Sequence, residues 1–408
     1  MSRGGAAPAA PVTDRPVGAI WIIALTLGVV AVFASWFGPL QILLPAQADQ
    51  IAGPGDREKL LALVVGVGAA VALVATPLWG FVSDRCRTRF GTRMPVVYVG
   101  TAVGVAGQIV LFTATTGPAT LAGWVLVQLG LNGPFAVLAA LIADRVPGSQ
   151  RGTVGSLFGV GQIVGVIAGT VVAEAVGAST VGYLVLALLT PVLLAAIVLV
   201  HHGHPAPPPE APRGRGVQNF RPTHDYLWAW MLRFLMNLTN AILLIYLYFF
   251  LEEVVQADDV AAAVLLVTVI TLTLSALCAG LTGTISDRLA RRRVFALAGA
   301  LLTAGGLVLL AVAATMPMVL AAATVLGLGW GLFIGVDMAI ITSTLADDTT
   351  SGTLLGLANI ANSLPQVVAP TLAAPIVLSA AGYPALYVVG AMIAVAAALC
   401  TLPLRSIR

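Results

Sequence analysis

Twelve stretches of about 20 or more residues run almost free of charge along this chain, and they leave it few ways to fold. They span 18–42, 60–82, 95–115, 118–143, 153–175, 180–200, 226–250, 259–282, 294–314, 317–343, 353–378 and 383–403. At 1.5 Å per residue each is long enough to cross a hydrocarbon core about 30 Å thick. Barrel strands would be about 10 residues long and polar at every second position, a pattern these stretches lack. The spans are therefore predicted to be helices. Only 9% of the 408 residues are charged, against about 25% in a soluble domain. The expected fold class is an all-α membrane protein with twelve transmembrane helices and the lipid bilayer as its main partner. Segment 18–42 is too long for a signal-peptide core and no small-residue cleavage site follows it, so it is read as the first helix.

Basic residues set the orientation. With both termini cytoplasmic, 17 of the 20 Lys and Arg residues fall on the inner side, as the positive-inside rule requires. Arg57 and Lys59 fall outside, and Arg233 sits inside the seventh span. The net charge of +3 thus reports topology and gives no reason to expect a nucleic-acid partner. One Lys against 19 Arg, with many Ala, suggests a GC-rich genome and hence a bacterial inner (plasma) membrane. Cys86, Cys278 and Cys400 have no metal-ligand or disulfide spacing. No phosphate-cradling loop, in-span His or nucleophile–base pair is present, so neither an enzyme nor a cofactor is expected.

The chain repeats itself. Gly80-Phe-Val-Ser-Asp84-Arg85 follows the second span, and Gly283-Thr-Ile-Ser-Asp287-Arg288 follows the eighth, 203 residues later. Ala143-Asp144 and Ala346-Asp347 share that offset, which points to internal duplication. Between the halves, 201–225 is Pro-rich, polar and basic, and reads as a cytoplasmic linker. His201, His202 and His204 within it lack further ligands nearby, and no metal site is expected. The expected division is a tail at 1–17, a six-helix bundle at 18–200, the linker, a second bundle at 226–403 and a tail at 404–408.

Gly80 to Pro95, GFVSDRCRTRFGTRMP, resembles the loop 2–3 motif of the major facilitator superfamily. Its SDRxRxRFGxRxP form resembles the branch of sucrose–proton and glycoside–pentoside–hexuronide cation symporters. Asp144-Arg-Val-Pro with Gln150-Arg151-Gly152, Arg233-Phe-Leu, and Asn359-Ile-Ala-Asn362-Ser-Leu-Pro-Gln366 are similar to bacterial members of that branch. The sequence departs from the hexuronide-type members in having no acid in the second span before Asp84. The resemblance implies two six-helix bundles that rock about a central cavity lined by helices 1, 4, 7 and 10. It also implies an inner gate built from Gly80, Asp84, Arg85, Gly91 and Arg93, with Gly283, Asp287 and Arg288 as its counterpart. Arg85 and Arg288 are expected to pair with the neighbouring aspartates.

Polar residues inside spans mark the expected substrate pathway, because each is costly in hydrocarbon unless it faces a cavity or a partner. Gln128 and Asn132 share a face of the fourth span, and Gln162 lies in the fifth. Arg233, Asn237 and Asn240 share a face of the seventh, and Asn359, Asn362 and Gln366 a face of the eleventh. Arg233 and Asp337 lie at similar depth from the cytoplasmic side, about 10–14 Å, and are predicted to pair. Gly155, Gly159, Gly161, Gly165 and Gly169 give the fifth span GxxxG spacing for close helix contact. The expected function is proton-coupled secondary transport of a small polar solute such as a sugar, by a monomer working through alternating access. Efflux of a drug or metabolite, and a receptor-like protein that binds without translocating, are the alternatives.

Overall fold

The computed structural model describes residues 16–201, 223–289, 291–344 and 351–404, without the side chains of 287 and 351–356. Among the described residues twelve helices are long and apolar enough to cross a membrane: α1 Ala19–Ala52, α2 Arg57–Phe90, α3 Met94–Thr113, α4 Gly117–Arg145, α5 Gly148–Ala175 and α6 Val181–His201, then α7 His224–Glu253, α8 Val260–Leu289, α9 Arg292–Ala311, α10 Met316–Ser343, α11 Ser351–Val377 and α12 Gly382–Cys400. The predicted linker, apart from its ends, both terminal tails and Asp347 lie outside the described residues.

Three helices, α1, α2 and α8, run well past their predicted ends at 42, 82 and 282, reaching Ala52, Phe90 and Leu289. The sequence reading ends α1 at 42, short of Pro45, yet the helix continues to Ala52 through a π-helical turn at Pro39–Leu43. Pro39 has no N–H to give, and the Leu44 N–H reaches back to the Pro39 carbonyl. The wider turn absorbs the break without ending the helix. The second helix likewise runs to Phe90, so Asp84 and Arg85 stand on a helix and not in a loop. Gly91, in the left-handed conformation at φ 69°, caps it by donating to the Arg87 carbonyl at 3.0 Å, a position that favours glycine.

The helices sort into two groups with matching neighbours. In the first, α1 packs on α5 and α6, α4 on α2 and α3, and α3 on α6. Adding six to each number gives the main pairs of the second group: α7 with α11 and α12, α10 with α8 and α9, and α9 with α12. The close approaches repeat as well. A Cβ on Gly100 or Gly130 would strike backbone across the α3–α4 contact, and Gly299 and Gly329 meet the same limit between α9 and α10. Without a hydrophobic drive between helices in lipid, such backbone proximity supplies the packing. The groups touch each other chiefly through α2 with α11 and α5 with α8, pairs that the same relation exchanges.

Candidate functional site

Contacts between the halves gather at one end. Gln41, set in the π turn of α1, accepts from Thr170 of α5 at 3.1 Å and from Thr268 of α8 at 2.9 Å. Arg57 of α2 reaches Glu252 and Glu253 of α7. Tyr383 of α12 donates to Glu58 at 3.0 Å, and Gly66 faces Pro370 across α2 and α11. Toward the other end, a Cβ at Gly80, Gly155, Gly159 or Gly280 would meet nothing within 4 Å. These glycines lie on α2, α5 and α8, helices whose far ends touch the opposite half, and among the described residues the hydrogen bonds and ion pairs between the halves lie away from the end that holds Phe90 and Gly148.

The glycines of α5 divide accordingly. Gly161, Gly165 and Gly169 pack on α1 within the first half, whereas Gly155 and Gly159 face open space. One row packs helix on helix within the first half; the other meets nothing in this conformation.

Between the ends, each half carries a polar cluster. In the first, the Asn132 amide donates to the Gln128 carbonyl at 2.7 Å and to its side chain at 3.4 Å, while Thr76 of α2 donates to Asn132 Oδ1 at 2.8 Å. Phe33 and Trp36 of α1 meet Phe135, three residues along α4 from Asn132, with ring centroids 5.5–5.6 Å apart. In the second half, Arg233 Nη2 stands 3.4 Å from Asp337 Oδ2 across α7 and α10. Its Nε donates to Asn362 Oδ1 of α11 at 2.8 Å, which also accepts from Asn237 at 3.1 Å. Arg233 is buried and its Nη1 has no partner; the Asp337 side chain is 15% exposed. The structure therefore brings together Gln128 with Asn132, and Arg233 with Asn237, Asp337 and Asn362. Gln162 and Asn240 are half-buried, Asn359 and Gln366 are exposed, and none of these four joins either cluster.

At the end that holds Phe90 the expected aspartate–arginine pairing takes a different form. Asp84 pairs with Arg93 at 2.6 Å, while Arg85 lies over the Phe81 ring at 4.6 Å. Because α2 continues as a helix, successive residues 84 and 85 point apart, and the Gly91 turn brings Arg93 back instead. Arg93 also binds Asp144 at 2.8 Å and Ser83 at 2.9 Å, and Arg87 binds Asp144 at 2.8 Å. Burial opposes the charge of Arg93, but the hydrogen bonds to Asp144 and Asp84 outweigh it and hold the guanidinium above its ordinary range. Asp84 itself is 71% exposed. In the second half, Gly283 lies beside Gly335 of α10 and Arg288 is exposed, and the Asp287 side chain lies outside the described residues.

Thr76, Asp144, Gln41 and the group around Arg57 are contributors that the polar-residue search passed over. Arg57 reads in sequence as an ordinary loop charge. The available signal was the surplus of acid around it, with Asp49, Glu58, Glu252 and Glu253 all near span ends on its side.

The model for the Major Facilitator Superfamily matches residues 55–370 and 257–407. The chain belongs to that superfamily. No curated protein sequence matches it. Among solved structures, a mutant form of the nucleoside transporter NupG is similar at 12% identity, with 94% of this chain and 100% of that chain covered and a TM-score of 0.76. The peptide transporter POT in complex with sulfate is similar at 14% identity, covering 97% and 95% of the two chains with a TM-score of 0.76. A bacterial homologue of the human lysosomal transporter Spinster, in an inward-facing and occupied conformation, matches at 14% identity over 93% and 94%, with a TM-score of 0.71. The major facilitator chain is thus a multi-pass membrane protein with a transporter fold, and the family and these neighbours are transporters, not enzymes.

Proposed function

We propose that this chain is a proton-coupled secondary transporter that takes up a small hydroxylated solute, such as a sugar, across a bacterial inner membrane by alternating access. Both termini lie in the cytoplasm on this reading, which follows the arginine distribution. The joined end is then extracellular, the separated end cytoplasmic, and the conformation inward-facing.

The Arg233–Asp337 pair carries the proposal. A guanidinium and a carboxylate 3.4 Å apart inside the membrane neutralise each other while the pair is intact. In a state where substrate or rocking draws Arg233 aside, Asp337 is left as an unpaired charge in the membrane, which a proton removes. Such an exchange links one proton to one conformational step. The opposing amides of Gln128 and Asn132, with the aromatic rings of Phe33, Trp36 and Phe135, suit a ligand with hydroxyl groups and an apolar face.

The test is a thermal-shift screen of purified protein over sugars and cationic drugs, followed by uptake into proteoliposomes under an imposed proton gradient. Stabilisation by a sugar through mass action, with gradient-driven accumulation of that sugar, is expected. Stabilisation by cationic drugs alone would transfer the chain to the efflux reading.

A further inference from the structure

The ion pairs that join the halves run through a single side chain. Arg57 opens α2, in the first half, with its side chain 6% exposed. Its Nη1 reaches Glu252 at 3.0 Å and its Nη2 reaches Glu253, both acids of α7 in the second half. Phe249, also of α7, lies under the guanidinium at 4.6 Å. Among the ion pairs between described residues, only these two cross from one half to the other. Lys59, the other cation at this end, is exposed and pairs with Asp56 of its own half at 2.8 Å.

The same guanidinium is held from its own side. Asp49 of α1 accepts from Nη1 at 2.6 Å and Glu58 accepts from Nε at 3.2 Å. Nη1 is thus shared by Asp49 of the first half and Glu252 of the second, and the shared nitrogen sets two carboxylates of opposite halves side by side. With Arg57 neutralised, the first half would present Asp49 and Glu58 to Glu252 and Glu253. Like charges at such separations repel. Side-chain exposures of 35% for Asp49, 35% for Glu252 and 45% for Glu253 let water and salt weaken that repulsion without removing it.

We propose that Arg57 is the latch of the extracellular gate and that the acids around it are a spring working against it. In the closed gate the guanidinium offsets charge on both sides of the seam. As the halves part, Arg57 keeps Asp49 and Glu58, its partners within the first half, and releases Glu252 and Glu253 to water. Asp49 opposes closure in two ways: it competes with Glu252 for Nη1, and it repels Glu252 across the seam. This separates the device from a simple ion-pair lock, in which loss of either member weakens closure. The proposal rests on the alternating-access reading and names the charges that set the balance at its outer end.

The test uses the full chain in lipid nanodiscs with Cys86, Cys278 and Cys400 replaced by alanine. Distance probes are attached at Ala175→Cys and Ser379→Cys, two exposed positions on opposite halves at this end and outside the charge cluster. Arg57→Gln should lower the ratio of closed to open gate at least about tenfold. Adding Asp49→Asn to Arg57→Gln should raise that ratio again, by about two- to fivefold, because it removes repulsion across the seam. Arg57→Lys keeps the charge without the fork and should open the gate less than Arg57→Gln; it replaces Arg57→Gln as the background if that protein fails to fold. An Arg57 variant as closed as the parent, or an Asp49→Asn change that lowers the ratio or leaves it unmoved, would overturn the proposal. The two readings fail separately: gradient-driven uptake with a gate indifferent to Arg57 refutes only the latch, and a gate that responds as described without uptake refutes only the proposed transport.

Discussion

Removing both charges of the Arg233–Asp337 pair is expected to cost less than the sum of removing each alone. Asp337→Asn leaves a buried guanidinium, 6% exposed, with Asn362 at 2.8 Å as its remaining described side-chain acceptor. Two unit charges 3.4 Å apart attract by about 5 kcal/mol at an effective dielectric constant of 20. Desolvation of both groups offsets much of this. The Asn362 bond survives the change, so Asp337→Asn should destabilise by about 2–3 kcal/mol. Arg233→Gln leaves a carboxyl that can protonate, and should cost a similar amount or less. The double variant should fall short of the sum of the singles by a coupling energy of about 1–3 kcal/mol. Denaturant unfolding of the four proteins in one detergent measures it as a double-mutant cycle. Additivity within about 0.5 kcal/mol would refute the pairing as an energetic unit.

Gly130→Ala should destabilise by about 1–3 kcal/mol in thermal unfolding, because its Cβ would sit 2.3 Å from the Gly104 nitrogen; Gly155→Ala, with open space around it, should be neutral or stabilising by up to about 1 kcal/mol. Asp84→Asn should leave unfolding within about 1 kcal/mol of wild type, since Asp84 is largely exposed, yet slow transport more than it weakens equilibrium solute binding; wild-type rates would leave its motif as a topology signal only. Membrane-impermeant thiol reagent applied from outside should label Gln256→Cys but not Pro208→Cys, and the reverse pattern would invert the orientation.

The spans were legible because a bilayer imposes a length and a composition on each helix, and both can be read residue by residue. The ends were less so. Pro39 and Pro45 are helix breakers in water, but in α1 a π turn retains the backbone hydrogen bonds that a membrane segment cannot forgo. The charged run from Asp84 to Arg89 looks like a loop by hydropathy, yet it forms the last turns of α2 before Gly91. Arg233 and Asp337 stood out as isolated charges at equal depth, and the structure sets them 3.4 Å apart. Partners that depend on a turn or on the far half of the chain were hidden. Asp84 finds Arg93 through the Gly91 turn, and Arg57 finds Glu252 about half the chain away. Thr76 escaped notice because a hydroxyl can satisfy itself on its own helix, and here it also serves Asn132.

Accumulation in proteoliposomes tests the central claim most directly. Wild-type protein given an inward proton gradient should concentrate its solute above the external level. Asp337→Asn should fail to accumulate while retaining part of the solute exchange seen without a gradient. Full accumulation by Asp337→Asn would contradict the account, because the proton would then be carried elsewhere.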